Sequence, residues 1–289
     1  MRYLDKNELI ERSIIKKYRR QIWRPFVRAI DKYQLISTGD KIAVCISGGK
    51  DSFLMAKCFQ ELKKRSPIKF ELEFLVMNPG YSTQNMELII QNARLLKVPI
   101  KVFETNIFEA VDQAGGSPCY LCARMRRGHL YKNAQNLSCN KIALAHHMDD
   151  AIETVLLSMF YGSEFKTMMP KLKSANFEGM ELIRPMYMIR EKYIKAWAYY
   201  NSLEFLRCAC KITQRHAQHE ESSKRFEIKE LIASLEKDNP NIVLNIFTSM
   251  HNVNLDAVIA YRKGDKKHSF LDEYSASGEN DDCSVNDEL

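Results

Sequence analysis

Six consecutive residues, Ser47-Gly48-Gly49-Lys50-Asp51-Ser52, bring together the groups needed to hold a phosphate chain. Two adjacent glycines let the backbone approach an anion closely, so successive N–H groups can point at its oxygens. Ser47 and Ser52 add hydroxyl donors, and Lys50 can neutralise charge. Asp51 is a carboxylate suited to holding Mg²⁺ or orienting the loop. The pattern is neither usual nucleotide signature. The dinucleotide fingerprint needs G-x-G-x-x-G, and the Walker loop puts four residues between its glycine and Gly-Lys.

The cysteines offer a second chemistry. Cys119-Tyr120-Leu121-Cys122 follows the break Gly115-Gly116-Ser117-Pro118 and precedes Arg124-Met125-Arg126-Arg127. At a loop-to-helix junction two such thiolates reach one metal centre, and neighbouring arginines favour the thiolate form. C-x-x-C alone serves zinc, redox and cluster sites alike. Cys208-Ala209-Cys210 stands 86 residues after Cys122. Four thiolates would make a structural zinc site, whereas three would leave one iron of a cluster open for exchangeable sulfur. Cys45 and Cys58 flank the phosphate loop and read as small buried hydrophobes, with Cys139 and Cys283 incidental. A third candidate is His146-His147-Met148-Asp149-Asp150, whose acids could hold Mg²⁺ and whose histidines could touch phosphate. The plainer reading is a helix N-terminus that favours acids.

These groups need a scaffold, and the intervening sequence supplies alternating strands and helices. Strands are expected at 41–46, 70–77, 100–105, 141–145 and 180–185. Helices are expected after the phosphate loop, at 83–96, near 107–113, and at 121–137, 149–161 and 190–201. Alternation at this spacing indicates α/β architecture, a doubly wound parallel sheet. It places the phosphate loop and the 146–150 motif at carboxyl ends of strands, where such sheets bind ligands. Residues 1–35 form a basic helical arm, with Leu9, Ile10, Ile14, Tyr18 and Ile22 at helical spacing. Residues 36–215 form the phosphate-loop domain and 216–272 a mostly helical region. Residues 273–289 form an acidic tail with the composition of a disordered segment.

The bulk numbers agree. The 289 residues are 45% hydrophobic and 27% charged, the balance of a protein with a proper core. No run approaches the apolar length of a membrane span, and the N-terminus lacks a signal peptide, so a cytoplasmic protein with reduced thiols is expected. The net charge is +7, but residues 273–289 hold six acids and no Lys or Arg. The rest carries 43 basic against 30 acidic residues, a net +13 that suits a polyanionic partner.

Together the motifs carry a resemblance. Ser47–Ser52 matches the SGG-x-DS loop of the ATP pyrophosphatases, and Pro118–Gly128 resembles the P-C-x-L-C-x-R-x-R-R-G of tRNA-cytidine 2-sulfurtransferases. His146-His147-Met148-Asp149-Asp150 with Glu153-Thr154, then Arg184-Pro185 and Glu191, also resemble that family in order. The likeness runs from about residue 15 to 255.

It implies a PP-loop, Rossmann-like fold that binds ATP and Mg²⁺ through Ser47, Gly48, Gly49, Lys50, Asp51 and Ser52, with His147 and Asp150 beside them. It implies catalytic roles for Lys50, Asp51, Cys119, Cys122 and Cys208, and a [4Fe-4S] cluster on those three cysteines. The implied reaction adenylates the C2 oxygen of an anticodon-loop cytidine, at position 32, and replaces it with sulfur. The implied partners are tRNA, a sulfur donor such as a cysteine desulfurase and, as an option, a second copy in a homodimer. One departure stands out: the family's later motif is C-x-x-C before glycine, whereas this chain has Cys208-Ala209-Cys210-Lys211, with Cys210 as the alternative third ligand. A uridine 2-thiolase of a related family is the enzymatic rival. A non-catalytic RNA-binding or iron–sulfur sensing protein is the other, and the intact Ser47–Ser52 loop weighs against it.

Overall fold

Apolar side chains recur at every fourth position of the N-terminal arm: Ile10, Ile14, Tyr18, Ile22, Phe26 and Ile30. In an α-helix a four-residue repeat drifts by about 40° per step and soon leaves its face. The structure, a computed structural model that describes residues 4–108, 118–206 and 224–274, shows how the drift is absorbed. Between α1 (Lys6–Arg12) and α2 (Arg24–Lys32) lie two wider π-helical stretches, Ser13–Lys17 and Arg19–Trp23. The Tyr18 and Trp23 N–H groups donate five residues back, to Ser13 O at 2.8 Å and Tyr18 O at 3.4 Å. The underwound segment keeps the stripe inward, and Ile10, Ile14, Ile22 and Phe26 are at most 1% exposed.

Polar groups also clamp the arm to the body. Lys57, on α3 (Lys50–Arg65), is fully buried. Its Nζ donates to Asn7 Oδ1 (3.0 Å), Glu11 Oε1 (2.7 Å), Gln60 Oε1 (2.7 Å) and the Leu96 carbonyl (2.8 Å). A buried ammonium is tolerated only when so surrounded by acceptors. Burial pushes the Glu11 carboxyl up, but hydrogen bonds from Lys57 and Lys64 outweigh it and bring it down to about 2.

The sheet has six strands in the order β3-β2-β1-β4-β6-β5. They are β1 (Lys41–Ile46), β2 (Glu71–Asn78), β3 (Ile100–Glu104), β4 (Lys141–Ala143), β5 (Lys171–Lys173) and β6 (Glu181–Ile183). All neighbours are parallel except β5, which runs antiparallel to β6. Helices α4 (Thr83–Leu95), α5 (Pro118–Asn136), α6 (Met148–Gly162) and α7 (Glu191–Tyr200) complete the doubly wound α/β fold. One core holds the arm stripe, Phe53, Leu54, Phe59 and Trp197; a second, around Leu75, Tyr131 and Ile142, covers the opposite sheet face.

Several expectations shift. Helix α5 is described from Pro118, three residues before the expected 121, so Cys119 and Cys122 both lie within it. Strand β5 and a hairpin of β7 (Ala260–Lys263) and β8 (Lys266–Ser269) were not expected. The hairpin turns at Gly264, whose φ of +64° suits a two-residue loop. The chain forms two compact units, Met1–Pro240 and Asn241–Leu289. The expected boundary at 215/216, most of the helix near 107–113 and residues 275–289 of the acidic tail lie outside the described residues. Helix α8 (Lys224–Asp238) belongs with the first unit, where Arg225 Nε meets Glu153 Oε2 at 2.6 Å. The second unit carries α9 (Ile242–Ser249), the hairpin and α10 (Leu271–Tyr274). No helix among the described residues is long and apolar enough to cross a membrane.

Candidate active site

Strand β1 delivers Ser47 to the carboxyl rim of the sheet, and the chain turns because Gly48 adopts a φ of +91°. A Cβ there would lie 2.7 Å from Ile89 Cγ1 and 2.8 Å from its Cδ1, so only glycine fits. Gly49 caps α3 without a side-chain bond, leaving the first-turn N–H groups to face what lies before the helix. Ser52 closes the loop from inside: its Oγ accepts from the Ser47 N–H at 3.2 Å and donates to the Gly49 carbonyl at 2.9 Å.

Lys50 reaches across to α7. Its Nζ lies 3.1 Å from Asp51 Oδ2 and 2.9 Å from Glu191 Oε1. Burial lowers the ammonium's pKa, but Asp51 and Glu191 outweigh it, and the net shift is upward. Burial likewise opposes ionisation of Glu191, yet hydrogen bonds from Lys50 and Lys195 hold its carboxyl at about 2. The site therefore holds a fixed cation between two carboxylates. Asp51 Oδ1 is buried and has no hydrogen-bond partner, the state of an acceptor built for a cation or a ligand N–H.

In front of the loop is a cleft of about 1030 Å³. Ser47, Gly49, Lys50 and Asp51 line it on one side, with Tyr81, Phe108 and Arg126 on another and Lys195 and Leu203–Leu206 closing it. Tyr81 and Phe108 meet edge to face at 5.9 Å, and Arg126 Nη2 donates to the Tyr81 hydroxyl at 3.3 Å. A volume of this order accommodates a nucleotide. The Leu206 N–H donates to the Gly48 carbonyl at 3.2 Å, pinning the segment that precedes Cys208 against the loop.

The 146–150 motif follows β4 on the same rim. His147 Nδ1 accepts from the Asp150 N–H at 3.4 Å, and Asp150 Oδ2 accepts from the His147 N–H at 2.9 Å, a reciprocal cap on α6. Asp150 also meets Arg225 Nη2 at 3.2 Å. Both expected ligands thus have protein partners, and neither lines the cleft. Asp149 accepts from Arg190 Nε at 3.0 Å and from the Glu191 N–H at 2.7 Å, so it fixes the helix whose first carboxylate holds Lys50. Burial and then Arg184 bring His146 down to about 4. Its neutral Nδ1 accepts from Arg184 Nε at 3.3 Å.

Cys122 packs beside Met77 and Ile107, at the carboxyl end of β2. The Cys119 side chain, Cys208 and Cys210 lie outside the described residues. Among the described residues no three His, Cys, Asp or Glu side chains gather to hold a metal ion. Sequence reasoning gave no role to Lys195 or Tyr81. It named Glu191 only as part of a motif, gave Asp149 a place on Mg²⁺ and gave Arg126 a place beside the thiolates, whereas the structure sets Asp149 on the first turn of α7 and Arg126 in the cleft. The signal for pairing Lys195 with Glu191 was their i, i+4 spacing on a helix, which brings Glu191 Oε2 within 2.9 Å of Lys195 Nζ.

Comparison with known proteins places these features in a family. A family model described as a PP-loop domain matches residues 18–216. The chain is 34% identical over 230 residues to a tRNA-cytidine(32) 2-sulfurtransferase of Citrifermentans bemidjiense, spanning 78% of this chain and 88% of the relative. It is 37% identical over 243 residues to the enzyme of that name from Aliivibrio fischeri, spanning 82% and 76%. In three dimensions it resembles the U34-tRNA thiolase NcsA from Methanococcus maripaludis with its [4Fe-4S] cluster. The TM-score is 0.61 at 20% identity, with 79% of this chain and 76% of the other covered, a likeness of fold.

Proposed function

The chain belongs to the tRNA-cytidine(32) 2-sulfurtransferase family of PP-loop proteins, and from that premise we propose that it thiolates tRNA at the expense of ATP. The observation that carries the reading is the loop Ser47–Ser52. Its Gly48 turn excludes any side chain, its helix end is uncapped, and its buried Asp51 Oδ1 awaits a partner. On this reading ATP phosphates lie against the loop, with Lys50, Lys195 and Arg126 offsetting their charge and Asp51 holding Mg²⁺. His147 and Asp150, which cap α6 and do not line the cleft, support the same rim without touching the nucleotide.

The C2 oxygen of cytidine 32 attacks the α-phosphorus and pyrophosphate leaves. Sulfide then adds at C2, and the C–O bond breaks with AMP carrying the oxygen away. Adenylation is what makes that oxygen a competent leaving group. Cys119, Cys122 and Cys208 would hold a [4Fe-4S] cluster, which when bound supplies an open iron for exchangeable sulfide. Two observations support that set: Cys119 and Cys122 share helix α5, and Leu206, two residues before Cys208, is bonded to Gly48.

The test is tRNA-dependent pyrophosphate release by anaerobically purified protein supplied with ATP, Mg²⁺ and inorganic sulfide, followed by nucleoside mass spectrometry of the tRNA. Wild type should release pyrophosphate and yield 2-thiocytidine. Lys50→Ala and Asp51→Ala should each lower release by about a hundredfold or more with the fold and chromophore retained. Finding 2-thiouridine instead would transfer the assignment to a uridine thiolase, and finding neither product would end the thiolase reading.

A further inference from the structure

A second concave surface lies where the arm packs on the end of α7. This groove of about 600 Å³ is lined by Lys6, Arg12, Lys16 and Lys17 from the arm and by Tyr200 and Asn201 from the other side, with no acid among its described lining residues. The exposed cations Lys64 and Lys97, on the body facing the arm, are paired with Glu11, Glu61 and Asp5. The four groove cations are exposed and have no carboxylate within 4.0 Å among the described residues. Lys17 Nζ instead sits 4.0 Å from the centroid of the Tyr200 ring.

The groove is rigidly floored. Ser13 Oγ, from the first π-helical stretch, accepts from Trp197 Nε1 and from Asn201 Nδ2, both at 3.1 Å, and donates to the Ile10 carbonyl at 2.6 Å. The Tyr18 hydroxyl donates to the Ala196 carbonyl at 2.9 Å, and its ring meets Tyr200 edge-on at 6.0 Å.

Two adjacent tyrosines stand at the end of the helix that lines both surfaces. Tyr200 lines the groove and is 53% exposed. Tyr199, at 90%, is almost wholly in solvent. It lies four residues after Lys195 on α7, hence on the helical stripe that Lys195 and Ala198 present to the cleft, about one turn (~5.4 Å) further along. Consecutive side chains on one helix thus place one ring in the cationic groove and its neighbour on the stripe that continues towards the cleft. Exposed aromatic rings beside unpaired lysines are the combination that holds an unpaired nucleic-acid strand, with bases on the rings and phosphates on the cations.

We infer that the groove binds the single-stranded RNA segment flanking the nucleotide presented to the cleft, stacking its bases on Tyr199 and Tyr200 and seating its phosphates on Lys6, Arg12, Lys16 and Lys17. The inference rests on the tRNA reading above and deepens it by assigning the surface that holds the strand. A duplex keeps its bases stacked internally, so it can use the cations but not the rings.

Fluorescence anisotropy with a labelled single-stranded oligoribonucleotide and its matching duplex tests this on the full chain. Tyr199→Ala, which removes a ring almost free of packing, should weaken single-strand binding about tenfold and leave duplex binding unchanged. Tyr200→Phe, which keeps the ring, should bind the single strand like wild type. Equal single-strand affinity of Tyr199→Ala and wild type would overturn the inference, as would equal losses for single strand and duplex. Wild-type pyrophosphate release with intact tRNA, measured alongside, separates the two claims. If release is present but Tyr199→Ala binds the strand normally, the groove alone is wrong; if release is absent, the thiolase reading fails whatever the strand does.

Discussion

Lys50 is held between Asp51 and Glu191, and Glu191 is held in turn by Lys50 and Lys195. A carboxyl at about 2 in the folded state and near its ordinary 4.5 when unfolded gives the folded protein an advantage above the higher value. That advantage is complete above about pH 4.5 and disappears as the pH falls through 2. Glu191→Gln should therefore cost about 1.5 kcal/mol near neutrality, the low end of the scale for hydrogen bonds to a charged group because the pair is part-exposed, and progressively less as the pH falls towards 2. Urea unfolding midpoints of both proteins across that range check this. A difference that stayed constant with pH would show that the pair contributes through packing and not charge. Glu11, also at about 2, titrates in the same direction in both proteins and cancels in the comparison.

At the scale of elements, the phosphate loop shows two glycines under different constraints. Gly48 combines a φ of +91° with an Ile89 methylene 2.7 Å from where a Cβ would stand. Gly49 has ordinary φ, and the nearest atom to its would-be Cβ is Ser47 Oγ at 3.7 Å. Gly48→Ala should destabilise the fold by about 2 kcal/mol, from left-handed strain plus displacement of Ile89. Gly49→Ala should leave the melting temperature almost unchanged while still impairing pyrophosphate release, because its methyl would occupy the approach of the phosphate. Equal melting temperatures for the two variants would contradict this division. The arm poses a related element-scale problem, in that a four-residue stripe suits a π-widened helix better than a regular one. Its period was legible in the sequence; the widening follows from burying Ile10 and Phe26 against one body at once.

Over the whole sequence, residues 1–35 stand out as basic, with ten Lys or Arg against four acids. Lys16, Lys17, Arg19 and Arg20 are exposed on the arm, whose apolar stripe is buried. Replacing all four with Ala should weaken tRNA binding irrespective of sequence and flatten the plot of log affinity against log salt by about 0.7–0.9 for each phosphate that the arm no longer neutralises. Titrations at several salt concentrations measure the slope, and an unchanged slope would mark these charges as a solvated face. The molecule also makes the arm part of the first compact unit. Lys57, drawn into the interior by acceptors from Asn7, Glu11 and Leu96, is the polar half of that attachment.

The sequence alone determined the features that depend on neighbouring residues. Adjacent glycines after a β-branched run specify a phosphate loop at a strand end, and the alternation of strands with helices specifies a parallel sheet. Strand β5 was not legible, since Lys171–Lys173 is too short to show a period and owes its conformation to pairing with β6. The hairpin was hidden because charged residues fill Arg262-Lys263 and Lys266-Lys267 and mask any alternation, although Gly264-Asp265 is a turn signal. The contacts that make the site were decided by tertiary structure: Glu191 on Lys50, 141 residues away, Leu206 on Gly48, and Asp149 on the first turn of α7. Charged partners far apart in sequence meet only when the sheet sets its strand ends on one rim. Which acid holds which cation is therefore a property of the fold and not of any segment within it.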